Sequence, residues 1–296
     1  MKFNLGTAMT KTLEEQEKIR EQVREGYTKI AQKGIFSVSG DEASCGGGGC
    51  CGSQELDVEA LVKNIGYTDT ELEGAPESAN MGLSCGNPTV IASLKEGEIV
   101  LDLGSGGGFD VFIAAPKVGT TGRVIGVDMT PEMISKARRN TKVYEERTGL
   151  RNVEFRLGEI EHLPVADSSV DVVISNCVLN LSPDKEQVWK EIARVLKPGG
   201  RVAISDLSLI KPLPQEILDM MEAMVGCIAG AVTVAESERM ATEAGLTEIM
   251  LHEKSEYIDA MAKWEDPLYQ KVIQALPQGA KASEYITSLD LTARKI

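Results

Sequence analysis

The sequence predicts an α/β fold: a doubly wound, mostly parallel sheet, with a helical, cysteine-rich N-terminal extension before it and a smaller C-terminal domain after it. Three observations predict it. From Glu98 onward, short apolar runs alternate with amphipathic helical segments, the pattern of a parallel sheet covered on both faces. The first run ends in a glycine-rich turn that opens a helix, and the rhythm weakens after Asp206. The 296 residues suffice for one such sheet plus an appendage, which gives expected units at 1–80, 81–206 and 207–296.

Residues 12–33 read as a helix, because Ile19, Val23, Tyr27 and Ile30 share one face and Thr12 with Glu15 makes a capping box; Gly34 ends it. In Ser44-Cys45-Gly46-Gly47-Gly48-Gly49-Cys50-Cys51-Gly52 the glycines predict a mobile loop. A short helical pattern follows at Val58 to Ile65, and Asn87-Pro88 predicts a turn feeding the next helix. The apolar runs are Ile99 to Leu103, Arg123 to Val127, Val153 to Leu157, Val170 to Ser175 and Arg201 to Ser205. Helical segments at about 108–117, 131–147 and 184–196 separate them, and Gly199-Gly200 turns the chain into the fifth run. Beyond Pro212 and Pro214 a Met-rich helix is expected from Gln215 to about Ile228. The late aromatics Trp264 and Tyr285 read as core.

Charge excludes one class of partner. With 45 acidic against 31 basic residues and a net charge of −14, the chain lacks the clustered cations that bind nucleic acid. No apolar run reaches the length of a membrane span or a signal sequence, so a cytoplasmic protein is expected. In that setting six cysteines read as free thiols, ligands or catalytic groups rather than a disulfide framework.

The strongest local signal is Ile99-Val100-Leu101-Asp102-Leu103-Gly104-Ser105-Gly106-Gly107-Gly108-Phe109-Asp110, a buried strand, a glycine turn and a helix start. Glycines let the backbone approach a ligand, and the helix N-terminus offers unpaired N–H groups. The same turn also occurs simply to pack a helix on a strand. Asp128, at the end of the second run, sits at the spacing where a carboxylate accepts from both ribose hydroxyls. With an acid ahead of the glycines, the turn resembles that of class I methyltransferases, as do Gly158-Glu159-Ile160-Glu161-His162-Leu163-Pro164 and Arg194-Val195-Leu196-Lys197-Pro198-Gly199-Gly200-Arg201. The resemblance implies S-adenosylmethionine as cofactor, with its ammonium facing Asp102. By it Asp102, Gly104, Gly106, Asp128 and Met129 form the site, Glu159 and Ile160 border the adenine, and Asn176 lies near the methionine moiety. Ile160 and Asn176 also fit as plain core and turn residues.

Methyl transfer from a sulfonium is an in-line displacement that needs an aligned nucleophile. Only His162 and His252 could serve as imidazole bases, and His162 reads as a solvated surface residue. Cys177 falls just past the fourth run, at the ligand edge of a parallel sheet. Cys227 falls in helical register with Met220 and Met224, a pattern that also suits a core residue.

Four segments resemble the arsenite methyltransferase family: Cys85-Gly86-Asn87-Pro88, Asp102-Leu103-Gly104-Ser105-Gly106, Gly126-Val127-Asp128-Met129-Thr130, and the discriminating Asn176-Cys177-Val178-Leu179-Asn180-Leu181-Ser182-Pro183-Asp184-Lys185. The resemblance runs from about Val23 to about Gly245. It implies that Cys177 and Cys227 hold trivalent arsenic and that Cys85 is a further thiol for binding or disulfide exchange. For a fourth thiol Cys45, Cys50 and Cys51 remain three candidates. Thiolates suit a soft centre, and thiol-bound arsenic keeps a lone pair that can take a methyl group with no proton to abstract. The implied partners are arsenite or its thiol conjugates and a reductant of the thioredoxin or glutathione type. Zinc at Cys45 to Cys51 is disfavoured because Cys-x4-Cys-Cys is not a standard zinc spacing. Two other functions fit parts of the pattern: a quinone-biosynthesis type C- or O-methyltransferase with packing cysteines, and a non-enzymatic metalloid-binding protein.

Overall fold

The computed structural model describes residues 12–34, 62–63, 65–220, 223–224, 226–263 and 267–296. The cysteine-rich loop with Cys45, Cys50 and Cys51, most of the Val58–Ile65 pattern, and Trp264 lie outside the described residues.

Helix α1 spans Leu13–Lys33, with the Thr12/Glu15 capping box formed and Gly34 in the left-handed conformation at its end. Two short helices, α2 (Asp69–Gly74) and α3 (Pro88–Ile91), lead to the sheet; Asn87 caps α3 by accepting from Val90 N–H. The predicted strands and helices then follow in order. These are β1 (Ile99–Leu103), α4 (Phe109–Val118), β2 (Arg123–Asp128), α5 (Pro131–Thr148), β3 (Val153–Leu157), β4 (Val170–Asn176), α6 (Lys185–Val195) and β5 (Leu196–Leu209). The chain continues through α7 (Gln215–Leu218), α8 (Val234–Glu243), β6 (Leu246–Lys254), α9 (Ser255–Lys263), α10 (Pro267–Ala275) and β7 (Ile286–Lys295).

One seven-stranded sheet runs in the order β3-β2-β1-β4-β5-β7-β6. Strands β1 to β5 are mutually parallel, and β7 is antiparallel to both its neighbours. The period of two along each strand sorts the apolar residues to the two faces. Val100, Val124 and Val172 pack with α4 and α5, whereas Leu101, Leu103, Ile125 and Val173 pack with α6 and α8 around buried Trp189. Removing such a side chain costs about 3–5 kcal/mol, so these layers fix the sheet edge that carries the site.

Three expectations are adjusted. Strand β5 is much longer than the run Arg201–Ser205, because Leu196 already pairs with Val170 and the Lys197 to Gly200 segment bulges before regular pairing resumes. Asp206 therefore lies inside a strand. The segment after β5 also returns to the same sheet, adding β7 beside β5 and β6 at the edge. Finally, Cys227 is not in helical register with Met220 and Met224. Helix α7 stops at Leu218, residues 223–224 are helical again with Met224 N–H on Met220 O, and Cys227 lies past them with φ 63° in a turn where Ile228 N–H and Ala229 N–H both reach Ala223 O.

Candidate active site

A cleft of about 690 Å³, part of it open to solvent, lies along the C-terminal edge of β1, β2 and β4. That is where ligands sit in open parallel sheets. Gly104, Gly106, Asp128, Met129, Ile160, Asn176 and Cys177 line it, as do Arg20, Val23 and Tyr27 from α1.

On the β1–β2 side, Gly104 has φ 66° and Gly106 φ 51°. Gly104 is demanded twice, since a Cβ there would also collide with the side chain of Val178. Asp128 accepts from Gly106 N–H (2.9 Å) and Thr130 N–H (2.8 Å), which locks the turn to the end of β2. Burial raises its pKa, and those two N–H groups oppose the rise. Asp102, behind the turn, is 2 % exposed, and no hydrogen bond to its carboxylate is found among the described residues. Burial, then the neighbouring Asp110 and Asp128, push its pKa well up. Asp110, in the first turn of α4, is raised by burial to about 6, while hydrogen bonds from Tyr67 and Asn176 pull it down. Three buried acids cluster around one turn: Asp128 lines the cleft, whereas Asp102 and Asp110 lie behind it and form an acidic cradle under the turn. Its negative charge suits a cationic ligand group at the turn, such as the ammonium of S-adenosylmethionine.

Glu159 does not line the cleft. It pairs with Arg24 (3.4 Å) and Arg20 (3.6 Å) on α1, while Ile160 and Glu161 form the wall. Glu161 is buried and accepts from Ser182 Oγ at 2.6 Å. His162 and His252 are both exposed, so neither is an internal base.

Asn176 joins the two sides. Its Oδ1 accepts from Cys85 N–H (3.0 Å), and its Nδ2 donates to Gly86 O (2.9 Å) and Asp110 Oδ2 (3.0 Å). The Tyr67 hydroxyl contacts Asp110 Oδ1 (2.5 Å) and Gly86 O (3.1 Å), tying the Cys85 loop to α4.

Beyond Asn176 the thiols gather. Cys85, Cys177 and Cys227 belong to one buried cluster with Leu181, Leu213 and Ile217. The sulfurs of Cys85 and Cys177 are in contact, with Cα atoms 6.1 Å apart, a spacing a disulfide accepts. Asp206 places a carboxylate oxygen within 4.8 Å of both. Cys227 instead points its Sγ at Cys177 O, 2.7 Å away. Its thiol pKa is raised well above normal by burial and then by Asp206, with the Tyr27 hydroxyl hydrogen bond and Lys185 opposing. Cys177 (φ 53°) and Cys227 (φ 63°) are both non-glycine residues in the left-handed region. Such strain persists only where the surroundings enforce it and tends to gather at functional sites.

The comparisons with known proteins agree with this geometry. A family model described as a methyltransferase domain matches residues 94–245. The arsenite methyltransferase of Halobacterium salinarum is 44 % identical over 286 residues, covering 94 % of this chain and 67 % of its own length. The chain belongs to the arsenite methyltransferase family. The family's Aquipseudomonas alcaligenes member is 43 % identical over 60 % of this chain, which spans only 52 % of that relative. The crystal structure of an arsenic(III) S-adenosylmethionine methyltransferase from Chlamydomonas reinhardtii has a TM-score of 0.58 at 32 % identity, covering 80 % of this chain and 73 % of that one. A Haemonchus contortus phosphoethanolamine N-methyltransferase at 20 % identity (TM-score 0.56) shares the fold. S-adenosylmethionine is the cofactor of this family.

Sequence reasoning missed Tyr67, Asp110, Arg20, Glu161 and Asp206. Tyr27 was visible only as one residue of an apolar helix face. Nothing in that periodicity says the face covers a ligand cleft.

Proposed function

We infer that this chain transfers the methyl group of S-adenosylmethionine to trivalent arsenic held by cysteine thiolates. The observation that carries the reading is that Cys177 lines the cleft beside the glycine turn, with the Cys85 sulfur against its own and Cys227 packed on its carbonyl in one buried cluster. Packing duty alone gives no reason for three cysteines to share one buried cluster, two of them on left-handed backbone.

Asp102, Gly104, Gly106, Asp128, Met129, Ile160 and Asn176 would hold the cofactor, with Glu159 acting through its pairs with Arg20 and Arg24. Bound there, S-adenosylmethionine supplies an electrophilic methyl carbon that a soft lone pair can attack without loss of a proton. The chain's residues do the rest. Cys177 and Cys227, with Cys85, replace arsenite hydroxyls, each thiol proton leaving with a hydroxyl as water. Val178, packed on Gly104, sets the spacing between the thiol turn and the cofactor turn. Tyr27 and the apolar side chains around the cluster exclude water from the arsenic. Alignment of this kind is worth up to about 7–11 kcal/mol in well-oriented systems.

The C-terminal residues contribute Cys227 and grip the Cys85 loop, through Ser288 Oγ to Cys85 O (3.0 Å) and Tyr257 hydroxyl to Ser84 O (3.4 Å). The contact between Cys85 and Cys177 calls for a reductant of the thioredoxin or glutathione type to return the pair to thiols, and for a reducing compartment such as the cytoplasm. No helix among the described residues is long and apolar enough to cross a membrane. Cys45, Cys50 and Cys51 are candidates for a further thiol.

Arsenite-dependent consumption of the cofactor under reducing conditions tests the reading. Turnover with methylated arsenic as product is expected. Tight arsenite binding with the cofactor left intact would make the chain a metalloid-binding protein instead.

A further inference from the structure

Cys177, which lines the cleft, and Cys227, which packs on its carbonyl, come from segments fifty residues apart, and each sits on left-handed backbone. One buried side chain, Asp206 on β5, joins what surrounds them. Its Oδ2 accepts from Leu179 N–H (3.0 Å) and Asn180 N–H (3.4 Å), the first residues of the turn that follows Cys177. Its Oδ1 accepts from Asn180 Nδ2 (2.9 Å) and Leu207 N–H (2.8 Å). The Asn180 amide also donates to Leu207 O at 2.6 Å, which pins the turn to β5. On the far side, the carbonyl of Asn180 lies so close to Gly230 that a Cβ there would collide with it. Gly230 is three residues beyond Cys227, so the loop carrying Cys227 rests on the turn that Asp206 holds.

We propose that Asp206 is a positioning residue for methyl transfer, its carboxylate fixing the turn after Cys177 in the arrangement that sets the Cys177 sulfur against Cys85 and the Cys177 carbonyl against Cys227. The proposal rests on the thiol reading of the active site and adds a residue to it. The carboxylate is suited to the task because four donors converge on two oxygens. A neutral amide of the same shape can accept at only one of its two terminal atoms. Charge-assisted hydrogen bonds are also the stronger kind.

The test compares the full chain with Asp206→Asn and Asn180→Ala. Three quantities are read: S-adenosylmethionine affinity by calorimetry, the yield of the Cys85–Cys177 disulfide at fixed glutathione redox poise by peptide mass mapping, and kcat and KM for arsenite methylation. Asp206→Asn is expected to keep cofactor affinity within about twofold while disulfide yield and kcat each fall by about tenfold, the scale of a lost hydrogen bond to a charged group. Asn180→Ala keeps both backbone bonds to Asp206 and should fall by less in the same two readouts. The disulfide readout needs no arsenic, so it decides the proposal even if wild type proves unable to methylate arsenite. Wild-type disulfide yield in Asp206→Asn would overturn it. So would loss of cofactor affinity in step with the thiol effect in both variants, which would mark Asp206 as a general fold residue.

Discussion

The glycine turn of the cleft and the cysteine cluster beside it are built in opposite ways. The turn is local: Asp102 to Asp110 is one strand, one turn and one helix start, and Asp128 reaches it from the adjacent parallel strand. The cysteine cluster is assembled from three distant pieces, with Cys85 before the sheet begins, Cys177 after β4 and Cys227 after β5. Glycine absorbs the positive φ angles in the turn, whereas two cysteines carry them in the cluster.

Four perturbations break or sharpen that contrast. The largest effect is expected from Cys177→Ser, which removes a soft ligand without disturbing the glycine turn. Arsenite methylation should fall by at least about a hundredfold while cofactor affinity changes by less than about twofold, measured by product analysis and calorimetry. Gly104→Ala should defeat the separation of turn and cluster. Its Cβ would push Val178, the residue after Cys177, so both cofactor affinity and methylation should drop by about tenfold or more.

The third concerns pH. Asp110, at about 6, and Asp102, also raised, are carboxyls that take up protons more readily than free ones. As pH falls through 6 the cradle loses negative charge and holds the ammonium less well. Cofactor affinity should therefore weaken between pH 7 and 5, and Asp102→Asn should flatten that dependence. A profile that weakens with rising pH would remove the acid cradle from the account. The smallest effect is expected from Tyr27→Phe. Losing one hydrogen bond to Cys227 should raise the thiol's pKa further and slow its alkylation by about fivefold, on the scale of about 1 kcal/mol. Cofactor affinity should hold.

The sheet was legible because β1, β2 and β4 are short apolar runs each followed by a helical pattern, and the periodicities of 2 and 3.6 are local properties. Strands β6 and β7 were not. Leu246–Lys254 has several exposed positions as an edge strand, and β7 pairs with β5 across a long insertion, so neither reads as a buried run. The positions of Asp128 and Cys177 at strand ends on the cleft edge could be read from the strand pattern, whereas Asn176 and Cys85 were singled out only by family resemblance. Glu159 could not be separated from its neighbours, because which of Glu159, Ile160 and Glu161 faces the ligand depends on two arginines more than a hundred residues earlier. Cys227 was expected on a helix because Met220 and Met224 share its spacing. The chain leaves helical geometry before it, and a left-handed residue other than glycine has no sequence mark.

A single-turnover experiment tests the central claim most directly. Prereduced protein is loaded with stoichiometric arsenite and methyl-labelled S-adenosylmethionine, and wild type is compared with Cys85→Ser, Cys177→Ser and Cys227→Ser. The account predicts label on arsenic in wild type, with little or none from the Cys177 and Cys227 variants despite intact cofactor binding. Label reaching arsenic at the wild-type rate in both of those variants would contradict it, because the thiols would then be packing residues at the edge of an ordinary cofactor cleft.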